Sequence, residues 1–199
     1  MKQAENALIF IVEGDTEEHF YDRVLSCLQI RQRFSGKCKI INAKSVSRIQ
    51  NKGFSKCKNY IAENGLSNSY IFICYDSDVF RRGQKPPLDY IQLKKKLETL
   101  VGVQEVNKIV AVEQIEDWFL LDFAGICNYL GIIAKSIKGL TGEDKLKQLF
   151  KTASKVYVKG KNIDAGRFID SLDINLLIGK IKPELVRIDK IITSFNQLQ

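Results

Sequence analysis

The stretch that decides the fold is Ile9-Phe10-Ile11-Val12-Glu13-Gly14-Asp15-Thr16-Glu17, an apolar run that ends in acidic residues. A second stretch repeats the pattern, Ile71-Phe72-Ile73-Cys74-Tyr75-Asp76-Ser77-Asp78. Short continuous apolar runs are typical of strands covered on both faces, as in a parallel sheet. Because open α/β sheets bind ligands beyond the carboxyl ends of their strands, we expect both acidic clusters at one edge of one sheet.

The chain around these stretches alternates between strand-like and helix-like patterns. Strands are predicted near residues 7–12, 38–41, 70–75 and 108–112, with helices over 16–28, up to Asn64-Gly65, and over 88–100. This alternation predicts an α/β core in which helices flank a four-stranded parallel sheet.

The remainder of the chain reads as mainly helical. Residues 116–130 are strongly apolar, Thr141-x-x-Asp144 opens a helix, Val156-Tyr157-Val158 is a short strand or an extended turn, and Pro183 opens the final helix. We therefore expect a core over residues 1–130 and a helical C-terminal extension over 131–199, packed on that core.

The composition of the chain limits the kinds of partner and cellular location to be expected. The 199 residues include 31 Lys and Arg against 23 Asp and Glu, a net charge of +8. This surplus favours an anionic partner such as nucleic acid, although solubility alone also explains it. Five cysteines without C-x-x-C spacing and a single histidine argue against a zinc site. No run has the length of a transmembrane span or the pattern of a signal peptide, so we expect no membrane partner and a cytoplasmic location.

The two acidic clusters point to a divalent cation. Glu13 and Glu17 flank a turn at Gly14, and Asp76 and Asp78 alternate along a segment read as extended, so all four carboxylates can face one point. Oxygen ligands alone favour Mg²⁺ or Mn²⁺, and such ions support phosphodiester chemistry. Either cluster alone has an ordinary alternative, since Glu17 can be a helix-terminal charge and Asp76 a turn former.

These motifs resemble the toprim domain, the catalytic domain shared by topoisomerases, bacterial primases and the OLD-like nucleases. The resemblance rests on Val12-Glu13-Gly14-x-Thr16-Glu17 and on the strand ending in Asp76-x-Asp78. The segment from Glu113 to Asp122 is similar to the "E-x-W-hydrophobic-L-x-D" stretch of compact stand-alone toprim proteins from phage-defence loci, and Tyr157-x-Lys159 resembles their Tyr-x-Lys element. Phe80 stands where a third Asp is frequent, which argues against DNA relaxation and leaves a nuclease.

The resemblance implies roles for individual residues. Glu13 becomes a metal ligand or general acid/base, and Asp76 with Asp78 the metal-binding pair. Glu17 matches the second glutamate of the OLD-like version, Glu116 is a further candidate ligand, and Lys159 is a phosphate-contacting or transition-state-stabilising cation. The implied protein is an Mg²⁺- or Mn²⁺-dependent nuclease, the effector of an anti-phage defence system.

The partners follow from charge and from the same resemblance. The basic residues expected to grip a DNA or RNA backbone, with tRNA among the candidates, are Arg81, Arg82, Lys85 and Lys161. Small toprim proteins are often encoded beside an ABC- or AAA-type ATPase, so such a partner is expected. Two alternatives stay open: a regulatory module without catalysis, such as a receiver-like phosphoacceptor, and a structural nucleic-acid-binding subunit.

Overall fold

The computed structural model describes residues 6–32, 34–81, 87–133, 136–159 and 163–197. Its strands are β1 (Asn6–Val12), β2 (Lys37–Asn42), β3 (Asn68–Asp76) and β4 (Val103–Ala111). Its helices are α1 (Asp15–Gln32), α2 (Val46–Arg48), α3 (Phe54–Glu63), α4 (Tyr90–Glu98), α5 (Ile115–Phe119), α6 (Phe123–Leu130), α7 (Gly142–Thr152), α8 (Ile163–Ser171), α9 (Ile174–Lys180) and α10 (Lys182–Gln197). Among these residues no helix is long and apolar enough to cross a membrane.

The four strands form one sheet in the order β2-β1-β3-β4, and every neighbouring pair is parallel. The predicted α/β class with a four-stranded parallel sheet and flanking helices is confirmed. Successive side chains of β1 point to opposite faces, so Leu8 and Phe10 join one hydrophobic cluster while Ile9 and Ile11 join the other. Both faces are therefore covered, which explains the continuous apolar run in the sequence.

The two faces carry different helices. Residues of α1, α6, α7, α8, α9 and α10 share a hydrophobic cluster with Leu8, Phe10 and Phe72, so the C-terminal helices pack on the same face as α1. Residues of α3 and α4 pack on the opposite face against Ile9 and Ile11. The chain leaves β1 on one face and β3 on the other, which makes the gap between these strands the switch point of the sheet.

The segment after β4 is mainly helical, as the sequence predicts. Over the apolar residues 116–130, a 3₁₀ turn at Leu120–Asp122 separates α5 from α6. The Asp122 carboxylate accepts a hydrogen bond from Gly125 N at 3.0 Å and another from Asp173 N at 2.8 Å. This side chain therefore starts α6 and ties it to the beginning of α9. Val156–Val158 forms no strand, and α8 and α9 had no sequence prediction.

Gly53 lies where the helical segment after β2 crosses the sheet. The sequence suggests that this glycine weakens the middle of one helix, and the structure has a π-helical turn at Ile49–Gly53 between α2 and α3. A Cβ atom at Gly53 would lie 2.7 Å from Cγ2 of Ile11 in β1. The missing side chain thus permits close contact between helix and sheet.

We predict opposite effects for two helical Gly→Ala substitutions. Alanine favours a helix by about 1 kcal/mol at either position, but at Gly53 it also overpacks β1, at a cost of roughly 1–3 kcal/mol. Gly53→Ala should therefore lower the free energy of unfolding. Gly179→Ala in α9, where a Cβ atom meets nothing within 4 Å, should raise it. Urea unfolding of both variants measures this, and equal stabilisation by both would contradict the close contact.

Candidate functional site

The candidate site lies at the switch point, where β1 and β3 end. Glu13 follows β1 directly, and Asp76 is the last residue of β3. The Glu13 side chain joins the two strand ends, because its Oε1 accepts a hydrogen bond from Asp76 N at 2.9 Å. The expectation that the two acidic stretches meet at one edge of the sheet is confirmed for this pair.

Lys159 is the centre of the site. Its Nζ lies 2.8 Å from Asp76 Oδ2, 3.2 Å from Glu116 Oε2 and 3.6 Å from Glu17 Oε1. In the described part of the chain, these are the three carboxylates within 4 Å of this ammonium. We call Glu13, Glu17, Asp76 and Glu116 the carboxylate cluster.

Local structure orients each of these side chains. Glu17 and Glu116 lie in the first turns of α1 and α5, where the helix dipole favours an anion. Tyr157 Oη donates a hydrogen bond to Glu116 Oε1 at 3.0 Å. Asp76 Oδ1 accepts one from Ile115 N at 2.9 Å, so α5 is fixed against the end of β3. Residues of β3, α1, α5 and the segment after α7 therefore hold the side chains of the site in place.

The cluster carries more negative charge than one lysine compensates. Burial raises the pKa of Glu13 to about 8, and the nearby Asp76 carboxylate adds to this. Burial also raises the pKa of Asp76 to about 7, although Lys159 opposes the shift, and burial raises that of Glu17. Burial alone would lower the pKa of Lys159, but Glu116, Asp76 and Glu17 raise it above its ordinary value. The ammonium therefore stays charged while some of the carboxyl groups bind protons near neutral pH.

The donor chemistry of the cluster fits a hard divalent cation. All its ligand atoms are carboxylate oxygens, and Glu17 Oε1 is buried without a hydrogen-bond partner. The side chains are nevertheless arranged around the ammonium of Lys159. As they stand, no three His, Cys, Asp or Glu side chains among the described residues form a group that could hold a metal ion. A cation at this position would therefore replace the ammonium as the positive charge between the carboxylates.

Asp78 does not share the position of Asp76. The sequence prediction treated residues 76–78 as extended, but Ser77–Phe80 forms a 3₁₀ turn, so the two aspartates do not point the same way. Asp78 Oδ2 accepts a hydrogen bond from Gln114 Nε2 at 2.9 Å, beside the end of β4. The structure thus brings Glu13, Glu17, Asp76, Glu116 and Lys159 together and places Asp78 on the adjoining turn.

Of the basic residues predicted to bind a nucleic-acid backbone, the structure describes one. Arg81 is exposed and forms an ion pair with Glu113. The other three predicted positions, Arg82, Lys85 and Lys161, lie outside the described residues.

Several polar residues of the site were not predicted from the sequence. Asn42 ends β2, and its Nδ2 donates to Asp15 Oδ1 at 2.6 Å and to Glu18 Oε2 at 2.7 Å. Gln114 follows β4, and its side chain joins Asp78 to Glu143 N at the start of α7. Both residues come at or just after a strand end, so the rule that identified the acidic clusters could have identified them too.

Glu113 fixes the turn that carries Asp78. Its backbone φ of 66° is uncommon for a residue other than glycine. Its N–H donates to Ser77 Oγ at 2.8 Å, and its carbonyl accepts from Asp78 N at 3.1 Å. These bonds fasten the 3₁₀ turn after β3 to the end of β4.

Comparison with known proteins identifies no relative, because no family model, no curated protein and no solved structure matches the chain.

We predict that Glu13→Gln becomes more stabilising as pH rises. The Glu13 carboxyl titrates at a pKa of about 8 in the folded chain, against an ordinary value of 4.5. Between these values the folded state binds more protons than the unfolded state, so the Glu13 contribution to stability falls as pH increases. Glutamine carries no charge and escapes this loss. The stability of Glu13→Gln relative to wild type should rise by at least about 1 kcal/mol from pH 5 to pH 8.

Urea unfolding in EDTA at several pH values measures the difference. Glu98→Gln on the exposed surface of α4 is the matched control, and it should keep a nearly constant difference from wild type. A difference for Glu13→Gln that stays flat or falls with pH would contradict the raised pKa.

Proposed function

We propose that the chain is a toprim-like nuclease that uses Mg²⁺ or Mn²⁺ to hydrolyse phosphodiester bonds of DNA or RNA. The observation that carries the proposal is the carboxylate cluster around Lys159 at the switch point of a parallel sheet. Buried acids with raised pKa values in such a position are typical of functional sites. The motif resemblance supports the same reading, since Glu13, Asp76 and Lys159 all belong to the matching elements.

The residues that would hold a cation are Glu13, Glu17 and Asp76, with Glu116 in support. A bound Mg²⁺ or Mn²⁺ would supply charge neutralisation at the scissile phosphate and lower the pKa of the attacking water. In the hydrolysis, the water oxygen bonds to phosphorus, the bond from phosphorus to the leaving sugar oxygen breaks, and a proton passes to that oxygen. With its pKa near neutral, Glu13 is suited either to bind the cation or to carry such a proton.

Lys159 has a separate role in this proposal. Its ammonium neutralises the buried carboxylates in the absence of a cation. Once a cation supplies that charge, the ammonium is available to contact a phosphate oxygen and stabilise the charge that develops there. Lys159 donates a hydrogen bond to one oxygen of the Glu116 carboxylate, and Tyr157 donates one to the other oxygen. Tyr157 and Glu116 together therefore position the lysine.

The biological setting of the proposal follows from the resemblance alone. We propose a cytoplasmic effector of an anti-phage defence system that acts with an ABC- or AAA-type ATPase. The net charge of +8 accords with a nucleic-acid substrate.

The test is a cleavage panel over plasmid DNA, single-stranded DNA and tRNA with Mg²⁺, Mn²⁺ or EDTA. Wild-type protein should cut at least one substrate with a divalent cation and none in EDTA. Glu13→Gln and Asp76→Asn should each reduce the rate by at least about a hundredfold, because each removes a carboxyl group that would hold the cation or carry a proton.

Two surface variants are the matched controls for these substitutions. Glu98→Gln on α4 and Asp170→Asn, which pairs with Arg23 at the surface, make the same chemical changes away from the site and should retain wild-type rates. Undiminished cutting by both cluster variants would disprove the mechanism, and no cutting by wild type of any substrate would disprove the function.

A receiver-like phosphoacceptor is the second candidate, and one contact favours it. The ammonium of Lys159 lies 2.8 Å from Oδ2 of the aspartate that ends β3, in a sheet of order β2-β1-β3-β4. This sheet order also occurs in receiver domains. However, Asp76 is only 4% exposed and both of its oxygens already accept hydrogen bonds, which leaves little access for a phosphodonor.

Incubation with acetyl phosphate separates the two candidates. The nuclease proposal predicts no stable mass increase of one phosphoryl group in the intact protein. Phosphorylation that is lost in Asp76→Asn and kept in Asp170→Asn, together with no cleavage of nucleic acid, would favour the phosphoacceptor.

A further inference from the structure

The segment from Lys37 to Ala62 contains seven basic residues and no Asp or Glu. All seven side chains are exposed: Lys37, Lys39, Lys44, Arg48, Lys52, Lys56 and Lys58. A solvated surface usually mixes both signs of charge, as on α4, where Lys94 pairs with Glu98. A long segment with basic residues only creates a positive potential over β2, α2 and α3.

Three of these lysines line a groove of about 490 Å³ between β2 and α3. Lys39 comes from β2, Lys44 from the turn after it, and Lys56 from α3. Glu18 and Glu63 also line the groove, and Glu18 accepts a hydrogen bond from Asn42 Nδ2. Three lysines against two glutamates leave one excess positive charge in this concave lining, within a segment that is otherwise basic.

The contacts of these lysines leave charge available to a ligand. Lys39 Nζ lies 5.7 Å from the ring centroid of Tyr60, and Lys56 Nζ donates to the carbonyl of Asn42 at 3.0 Å. Within the described residues, no ion pair joins either of these two ammonium groups to a carboxylate. Lys44 pairs with Asp15 at the exposed surface, where such a pair is worth little and can be exchanged for a phosphate.

One groove residue, Asn42, lies on the strand next to the one that Glu13 follows. Asn42 lines the groove and is paired in register with Val12, the residue before Glu13. Neighbouring strands lie about 4.8 Å apart, so a chain of phosphates along the groove reaches the edge of the sheet one strand away from Glu13.

We propose that this groove binds the phosphate backbone of a nucleic acid and directs the strand toward the carboxylate cluster. Lys39, Lys44 and Lys56 contact phosphate oxygens, so recognition is independent of sequence. This inference rests on the proposed function for its purpose, but binding can be measured separately from cleavage.

The experiment measures binding of a labelled single strand of about twenty nucleotides in EDTA, as DNA and as RNA, from about 50 to 200 mM salt. The triple variant Lys39→Gln, Lys44→Gln, Lys56→Gln should bind at least about tenfold more weakly at low salt. The plot of log affinity against log salt should become less steep by about 2, because each of the three lost phosphate contacts contributes about 0.7 to the slope on a single strand. The DNA and RNA arms show which sugar the groove accepts.

The control variant removes the same charge elsewhere. Lys94→Gln, Lys95→Gln, Lys96→Gln changes three lysines of α4 and should keep the wild-type affinity within about twofold and the wild-type slope. If the triple variant melts below wild type, Lys39→Glu alone is the second test. It leaves the Lys44 and Lys56 contacts in place, and it should also weaken binding. Circular dichroism melts identify that case.

The two proposals fail in different ways. Groove variants that bind like the α4 control overturn the groove, whatever the cleavage panel shows. Weak binding by the groove variants together with no cleavage by wild type supports the groove and overturns the nuclease. If wild type binds neither strand at 50 mM salt, the groove proposal is wrong.

Discussion

The structure depends on one buried ion cluster, the contact of Lys159 with Asp76, Glu116 and Glu17. It joins the end of β3 and the first turns of α1 and α5 to a segment that follows α7, all far apart in sequence. A buried charge without a partner is strongly destabilising, so each of these elements requires the others in place. Folding of the sheet edge and docking of the C-terminal part are thereby coupled.

This dependence gives the site an unusual electrostatic state. Four acids and one lysine cannot all be charged cheaply at low dielectric, which is why the pKa values of Glu13 and Asp76 lie near 8 and 7. Hydrophobic residues of the same size would serve stability equally well. The buried carboxylates are therefore not explained by stability alone.

The central sheet was predictable because its signal is local. Continuous apolar runs such as Ile9–Val12 and Ile71–Tyr75 identify buried strands, and the edge rule then places Glu13 and Asp76 together. The length of β4 was less predictable, since Val106 is the one buried residue in its first half. The position of Asp78 was missed because a 3₁₀ turn depends on bonds to Glu113, which is distant in sequence. The motif resemblance implied a role for Lys159 but not its contact with the cluster, because no spacing rule relates this residue to Asp76, 83 positions earlier.

The lysines of β2 also affect how copies of the protein interact with one another. In the described sheet β2 is an edge strand, and Lys37 and Lys39 are exposed on it. An open strand edge offers hydrogen-bonding groups to any other extended chain, and lysines on such a strand oppose that pairing between molecules. Lys39, which also lines the groove, and Lys37 therefore help to keep copies of the protein from joining into a continuous sheet.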